Sequence, residues 1–299
     1  MRTEQIILAL CINRERSIKK AADSLSLSRA NASIMLKTLE NELGFLIFER
    51  LNNTVAPTEK GILFLEQASQ IERSLQMISQ ITEPAKSISL RICSIYLDFA
   101  GLAFKKLCMK YCGENYSSKL NYKLITDMSE ARSAIRNGDV DVAIGICRKG
   151  LYDNVLRHAA KMHVETEIIC ERLLQLTCRK GHPIIKNGKI TNGLFKQYPA
   201  FISVQAANSD LYAPYYLAKH DIEIQSLITM EPIPMRYELM NQVNGYLISL
   251  PLPEAIMQKY DLESVAIKGT EVIAFAAYNK GAGGIDLIQE YIGYCREFV

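Results

Sequence analysis

The chain has 299 residues, 48% hydrophobic and 22% charged, with a net charge of +3. That is the profile of a soluble globular protein with room for two or three compact units. No stretch approaches the roughly 18 uninterrupted apolar residues a membrane span needs, and no cleavable leader is read before the short apolar run at 6–12, so a cytoplasmic protein is expected.

In chain order, residues 3–13 carry Ile6, Ile7, Leu10 and Cys11 at helical spacing. Ser17 is placed to cap a second helix over 17–25, where Ala21 and Ala22 let a neighbouring helix approach closely. Ser28 caps a third helix, with Ala32, Met35, Leu36, Leu39 and Leu43 as its buried stripe and Gly44 as its C-cap. This is the layout of a helix-turn-helix, whose second helix is built to lie in the DNA major groove. Two short strands, at 45–48 and 55–57, flank Asn52-Asn53 as a β-hairpin wing. Thr58 caps a long helix reaching 82, where Glu83-Pro84 ends it. Phe64, Ala68, Ile71, Leu75 and Ile78 form a heptad seam on that helix, read as a dimerising stripe, with packing on its own domain as the alternative.

After a linker at 84–87 the pattern becomes strand-helix alternation. Strands are predicted at 88–95, 119–125, 140–146, 168–178, 201–204, 226–230, 246–249 and 272–278, and helices at 99–112, 129–137 and 283–297. The fold class is α/β with a mostly parallel sheet.

Residues 1–60 hold nine Lys/Arg against seven Asp/Glu, so a nucleic-acid role must rest on placed residues rather than on summed charge. Ser28, Arg29, Asn31 and Ser33 stand at the start of the third helix, where N–H groups and the helix dipole favour a phosphate. Arg29 and Asn31 have the donors and acceptors to read guanine or adenine edges, and Lys37, two turns on, suits a phosphate. The competing reading is a solvated polar face with no DNA. The eight cysteines have neither zinc nor secreted-framework spacing and read as buried thiols. Cys170/Cys178 and Cys108/Cys112 are the pairs on which a redox alternative would rest. The four histidines form no metal pair, and no nucleophile elbow or phosphate loop appears. Neither an enzyme nor a metal or other cofactor is expected.

The chain resembles the LysR-type transcriptional regulators. The resemblance is carried by Ser17-Ile18-Lys19-Lys20-Ala21-Ala22, Leu25-Ser26-Leu27-Ser28, Ser33, Leu39-Glu40-Asn41-Glu42-Leu43-Gly44, Phe48-Glu49-Arg50, Val55 and Thr58-Glu59-Lys60-Gly61. Looser matches follow at Leu90-Arg91-Ile92, Asn137-Gly138-Asp139-Val140-Asp141-Val142-Ala143-Ile144, His182-Pro183 and 243–251. The resemblance implies a winged helix-turn-helix (1–58), a linker helix and hinge (59–86) and an effector-binding domain (87–299). That last domain would have two α/β subdomains like those of periplasmic binding proteins, one of 87–162 and 267–299, the other of 163–266. Arg50 corresponds to a backbone-contacting arginine, Asn52 and Asn53 stand where the family often has basic wing residues, and Thr58 completes the expected DNA-contacting set. Arg29-Ala30, Ile34 and Met35 depart from the family pattern, so base preference does not transfer.

A ligand cleft is expected outside the carboxyl ends of the strands, between the subdomains. By position it would be lined by Tyr96, Leu97, Asp127, Met128, Ser203, Val204, Gln205, Asn244, Gly245 and Tyr246. Tyr96 and Met128 replace the family's Ser or Thr there, which favours a bulkier, more apolar or aromatic-stacking effector, or no ligand. The implied partners are double-stranded DNA with a T-N11-A core, further copies of the chain as dimer or dimer of dimers, a small-molecule effector and RNA polymerase. The alternatives are a small-molecule binding protein whose amino-terminal domain no longer reads DNA, or a cysteine-based redox regulator.

Overall fold

The computed structural model describes residues 1–51, 54–82, 86–112, 116–162, 164–191, 193–203, 217–230, 235–279 and 284–299. The chain divides into two compact units, the first essentially 1–84 and the second essentially 85–299.

In the first unit, α1 (Thr3–Glu15), α2 (Ile18–Ser24) and α3 (Arg29–Leu43) precede a hairpin of β1 (Phe48–Leu51) and β2 (Thr54–Pro57), then α4 (Glu59–Thr82). The hairpin begins at Phe48, later than the expected 45–48, and pairs Phe48 with Pro57 through Leu51 with Thr54. Leu8, Ile12, Ala21, Ala22, Ala32, Leu39 and Ile47 are fully buried and form its core with Leu65 and Ala68 of α4. The alanines do what their size predicts: with no side chain beyond Cβ, they let three helices meet at close range.

Glu40 joins the elements. Its Oε1 accepts from the Ile47 and Phe48 amides at 2.7 and 3.2 Å, tying α3 to the wing. Thr58 caps α4, its Oγ1 accepting from Gly61 N at 2.9 Å and donating to the Leu46 carbonyl at 2.6 Å. Gly61 is held against the Ile47 carbonyl, which a Cβ would approach to 1.9 Å.

The second unit contains β3 (Lys86–Ser94), α5 (Asp98–Tyr111), β4 (Tyr116–Leu124), α6 (Met128–Arg136), β5 (Val142–Arg148), α7 (Tyr152–Lys161), β6 (Val164–Arg179), the short β7 (Ile185–Lys186) and β8 (Lys189–Ile190), β9 (Ala200–Ser203), β10 (Leu227–Met230), α8 (Arg236–Gln242), β11 (Tyr246–Ser249), α9 (Glu254–Lys259), β12 (Leu262–Asn279) and α10 (Ile285–Glu297). Eight strands form one sheet in the order β10-β9-β11-β6-β12-β5-β3-β4. It is mixed rather than mostly parallel: β3, β4 and β5 run parallel, as do β9, β10 and β11, but β12 is antiparallel to both β5 and β6, and β6 to β11.

The long strands β6 and β12 run through both halves of this unit. Between Ala266 and Glu271 the register breaks. Thr270, fully buried, fills the break, its Oγ1 accepting from Leu174 N at 3.1 Å and donating to the Ile267 carbonyl at 2.6 Å. The passage between halves thus falls near 173 and 267–271, the first about ten residues later than the expected 162.

The sheet is buried on both faces where the strands alternate. Ile273, Phe275 and Ala277 pack with α6 and α7 on one side. Across the sheet, α5 and α10 pack on each other, the buried Tyr291 hydroxyl donating to the Ala100 carbonyl at 3.0 Å. Asp141 anchors the start of β5 to β3, accepting from the Arg91 amide at 2.7 Å and from Arg91 Nη2 at 2.7 Å. No helix among the described residues is long and apolar enough to cross a membrane.

Candidate nucleic-acid interface and ligand cleft

The third helix is built as a surface element. Ser26 takes a left-handed conformation (φ 55°) in the turn, and Ser28 caps α3, its Oγ accepting from Asn31 N at 3.2 Å. Arg29, Asn31, Ser33, Ile34, Lys37 and Thr38 are exposed on one side, while Ala32, Leu36 and Leu39 are buried on the other. Ile34 is 65% exposed on the same face as the polar side chains, an apolar group of the kind that contacts a thymine methyl. Arg29 and Lys37 enter no salt bridge among the described residues, so both cations are available to an anionic partner. Of Arg50 only the backbone, in β1, is described, and Asn52 and Asn53 lie outside the described residues. Thr58 is occupied as the α4 cap.

On α4 the heptad reading divides. Ala68 is buried and Phe64 half-buried in the core of the amino-terminal unit, because the first turns of α4 lie against α1. Leu75 is half-buried, whereas Ile71 and Ile78 are exposed, as is Leu63 (64%), which lies off the expected seam. The apolar stripe open to a second chain therefore runs through Leu63, Ile71 and Ile78.

The expected cleft residues scatter. Asp127 serves its own helix: its Oδ1 accepts from the Ser129 hydroxyl, which does most to hold its carboxyl below the ordinary range, and from the Glu130 and Ser129 amides at 3.0 and 2.6 Å. Met128 leans on Gly145 beneath α6. Asn244, Gly245 and Tyr246 stand at the amino end of β11, not the carboxyl end where such sheets bind ligands. Tyr246 is fully buried and its hydroxyl donates to the Phe195 carbonyl at 3.4 Å. Asn244 is a left-handed turn residue (φ 50°) that accepts from Arg179 Nε at 2.7 Å. These three are corrected from cleft lining to core and turn. Leu97 is buried, the side chain of Ser203 is not described, and Val204 and Gln205 lie outside the described residues.

Tyr96 is at a strand's carboxyl end, and the structure surrounds it with residues the sequence reading did not single out. Arg236, 3% exposed, opens α8 beyond the carboxyl end of β10, and its Nη2 lies 3.3 Å from Asp98 Oδ2 beyond the carboxyl end of β3. The Tyr96 hydroxyl donates to Asp98 Oδ1 at 2.8 Å. The guanidinium carbon sits 4.6 Å from the ring centroids of both Tyr96 and Tyr237, within cation–π range. Burial pushes both phenols well above their usual pKa. Arg236 Nε has no hydrogen-bond partner among the described residues. This cluster joins the two halves of the sheet beyond the carboxyl ends of β3 and β10.

All eight cysteines are free. Burial pushes Cys93, Cys178 and Cys295 up to about 12 and Cys147 up to about 11, the opposite of a reactive thiolate. Cys170 and Cys178 lie on one strand, eight residues and so about 26 Å apart, far beyond disulfide reach. Cys112 closes α5, donating its amide to the Cys108 carbonyl at 2.8 Å.

A capped, exposed third helix with a wing, followed by an α/β domain, defines the class of winged helix-turn-helix proteins with a carboxy-terminal α/β domain. Residues 3–62 match the bacterial regulatory helix-turn-helix protein, LysR family, which makes the amino-terminal domain a LysR-type helix-turn-helix. A probable RuBisCO transcriptional regulator of Thalassiosira pseudonana is 27% identical over 193 residues, covering 62% of this chain and 59% of that one. The chain spans less than two thirds of the curated relatives it matches. Among solved structures, a full-length OxyR variant from Pseudomonas aeruginosa superimposes with a TM-score of 0.64 at 16% identity, covering 100% of this chain and 99% of that one. Full-length LysG from Corynebacterium glutamicum with bound effector Arg gives 0.62 at 15%, covering 99% of each. At these identities the superpositions show the fold.

Proposed function

We propose that this chain is a homo-oligomeric transcriptional regulator that binds duplex DNA through α3 and responds to a small molecule held between the halves of its α/β domain. The carrying observation is the exposed face of α3, with Arg29, Asn31, Ser33 and Lys37 around a capped amino terminus. A helix with that face and no core to bury it against is explained by a groove. Two copies joined through the exposed apolar residues of α4 would present their reading helices about one helical turn apart. The effector reading is supported by the Tyr96–Asp98–Arg236–Tyr237 cluster and by the arginine bound to LysG, a protein of the same fold. The reading places the protein in the cytoplasm and gives it neither catalysis nor a cofactor. Contact with RNA polymerase belongs to the same proposal.

The test is binding of the full chain to the DNA upstream of its own coding sequence, followed by fluorescence anisotropy across a salt series. Affinity should fall steeply with salt. Lys37→Ala should weaken binding to all sequences alike and flatten the salt slope by about one unit, whereas Arg29→Ala should also change sequence preference. Unchanged binding in both variants would overturn the placement of α3 on DNA.

A further inference from the structure

The face of the sheet under α6 and α7 holds a cavity of about 320 Å³. Every residue lining it lies between 128 and 166 or at 275 and 277, so the second half of the domain contributes nothing to it. It is therefore separate from the Asp98–Arg236 junction. Its walls are apolar: Met128 and Ile135 from α6, Ile146 and Cys147 from β5, Val155 from α7 and Phe275 from β12. The Cys147 thiol is protonated, its pKa raised to about 11 by burial, and so adds no charge to the wall.

Two features separate this cavity from a packing fault. The first is that alanines on three different elements, Ala131 of α6, Ala159 of α7 and Ala277 of β12, all line it. An unfilled apolar void destabilises a core, and a larger side chain at any of the three would close it. The second is the charge of its lining. Arg132 and His158 are part of it, and no Asp or Glu is. Arg132 enters no salt bridge among the described residues. Asp127 is close enough to feel the Arg132 charge, but its carboxylate is engaged in capping α6. His158 donates from Nδ1 to the Asn154 carbonyl at 2.7 Å, so its neutral ring presents Nε2 as an acceptor and Arg132 is the donor for a carboxylate.

We infer that this cavity is a binding site for a small apolar monocarboxylate, its hydrocarbon body among Met128, Ile135, Val155 and Phe275 and its carboxylate at Arg132. The volume lies at the small end of the range for ligand pockets, which suits a medium-chain fatty acid better than a nucleotide or a sugar phosphate. Because α7 leads directly into β6, one of the two strands shared by both halves, occupancy would stiffen the element that joins them. The inference stands without the DNA-binding reading, since its test measures ligand binding alone.

The test titrates the full chain with octanoate, octanol and octylammonium by calorimetry, with melting temperature as a second readout. Octanoate should bind and raise the melting temperature, octanol should bind more weakly, and octylammonium should not bind. Arg132→Gln should weaken octanoate about tenfold and leave octanol unchanged. Ala159→Leu should remove binding of both; if it fails to fold, Val155→Phe, from a half-buried position on α7, takes its place. Absence of binding by both octanoate and octanol would overturn the proposal. So would octanoate binding that survives the cavity-filling variants but is lost in Asp98→Asn, since the ligand would then sit in the cleft. Equal affinity for octanoate and octylammonium would overturn the charge assignment.

Discussion

Replacing Asp98 by asparagine tests the junction between the halves with little change of shape. The ion-pairing side chains of Arg236 and Asp98 are 4% and 11% exposed, so solvent screens the pair little. At 3.3 Å and an effective dielectric of 20 the attraction is about 5 kcal/mol before desolvation is subtracted. The substituted amide retains an acceptor for the Tyr96 hydroxyl, but Arg236 is left with its charge buried between two rings and one neutral oxygen. Removing one partner of such a pair costs about 3 kcal/mol. For a domain of this size that corresponds to a fall of roughly 6–12 °C in melting temperature. Asp98 also lies in the first turn of α5, where a negative charge contributes up to about 1 kcal/mol through the helix dipole. A double-mutant cycle with Arg236→Met removes that contribution, because it is common to both arms. The assay is urea unfolding followed by tyrosine fluorescence, which the chain's 15 tyrosines and lack of tryptophan make direct. The double variant should recover most of the loss, leaving a coupling of about 2–3 kcal/mol. A single-variant cost below about 0.5 kcal/mol, within the range of an ordinary surface substitution, or strict additivity in the cycle, would refute the argument that the pair is buried and coupled.

Two further expectations concern folding. His182 is fully buried as the tautomer that donates from Nε2 to the Asn244 carbonyl at 2.8 Å and accepts from Ile184 N at Nδ1 at 3.1 Å, and burial lowers its pKa. The unfolded chain then binds a proton the native state refuses, so stability should fall as pH drops below about 6.5 and level off once the depressed folded value is passed. His182→Gln should flatten that slope in denaturation curves between pH 7 and 5, and an undiminished slope would count against the assignment. Gly61→Ala would drive a methyl into the Ile47 carbonyl. It should cost the amino-terminal unit about 1–3 kcal/mol, read as a lower melting temperature, and normal stability would show that α4 does not need so close an approach.

What could be read from the sequence follows from where each signal is local. Helix α3 was legible because Ser28, Gly44 and a stripe at Ala32, Leu36 and Leu39 are all within one element, and the structure uses each as its chemistry suggests. The carboxyl half of β12 was legible as 272–278, a run buried on both faces. Its other half, with Glu263, Lys268 and Glu271, reads as polar loop and is strand because β6 holds it. Helix α7 is not legible in the sequence although Tyr152, Val155 and Ala159 fall at i, i+3 and i+7. The helix is short, only Ala159 is buried, and strand-helix alternation leads the reader to expect the next strand there. The cluster around Arg236 was out of reach for a different reason. Its partner is 138 residues away, and Met-Arg-Tyr-Glu looks like an ordinary solvated turn of helix until the fold brings Asp98 beside it.

The register break at Thr270 bears on how this domain can be taken apart. Leu173 and Glu271 are opposite each other on neighbouring antiparallel strands, while the strands on the far side of the break come from one continuous run of chain. A cut after 173 and another before 271 would therefore lift out a single cassette and leave two facing stubs one tight turn apart. An Asn-Gly splice has the geometry to close them, leaving a five-stranded miniature, β6-β12-β5-β3-β4, with α5, α6, α7 and α10 still in place.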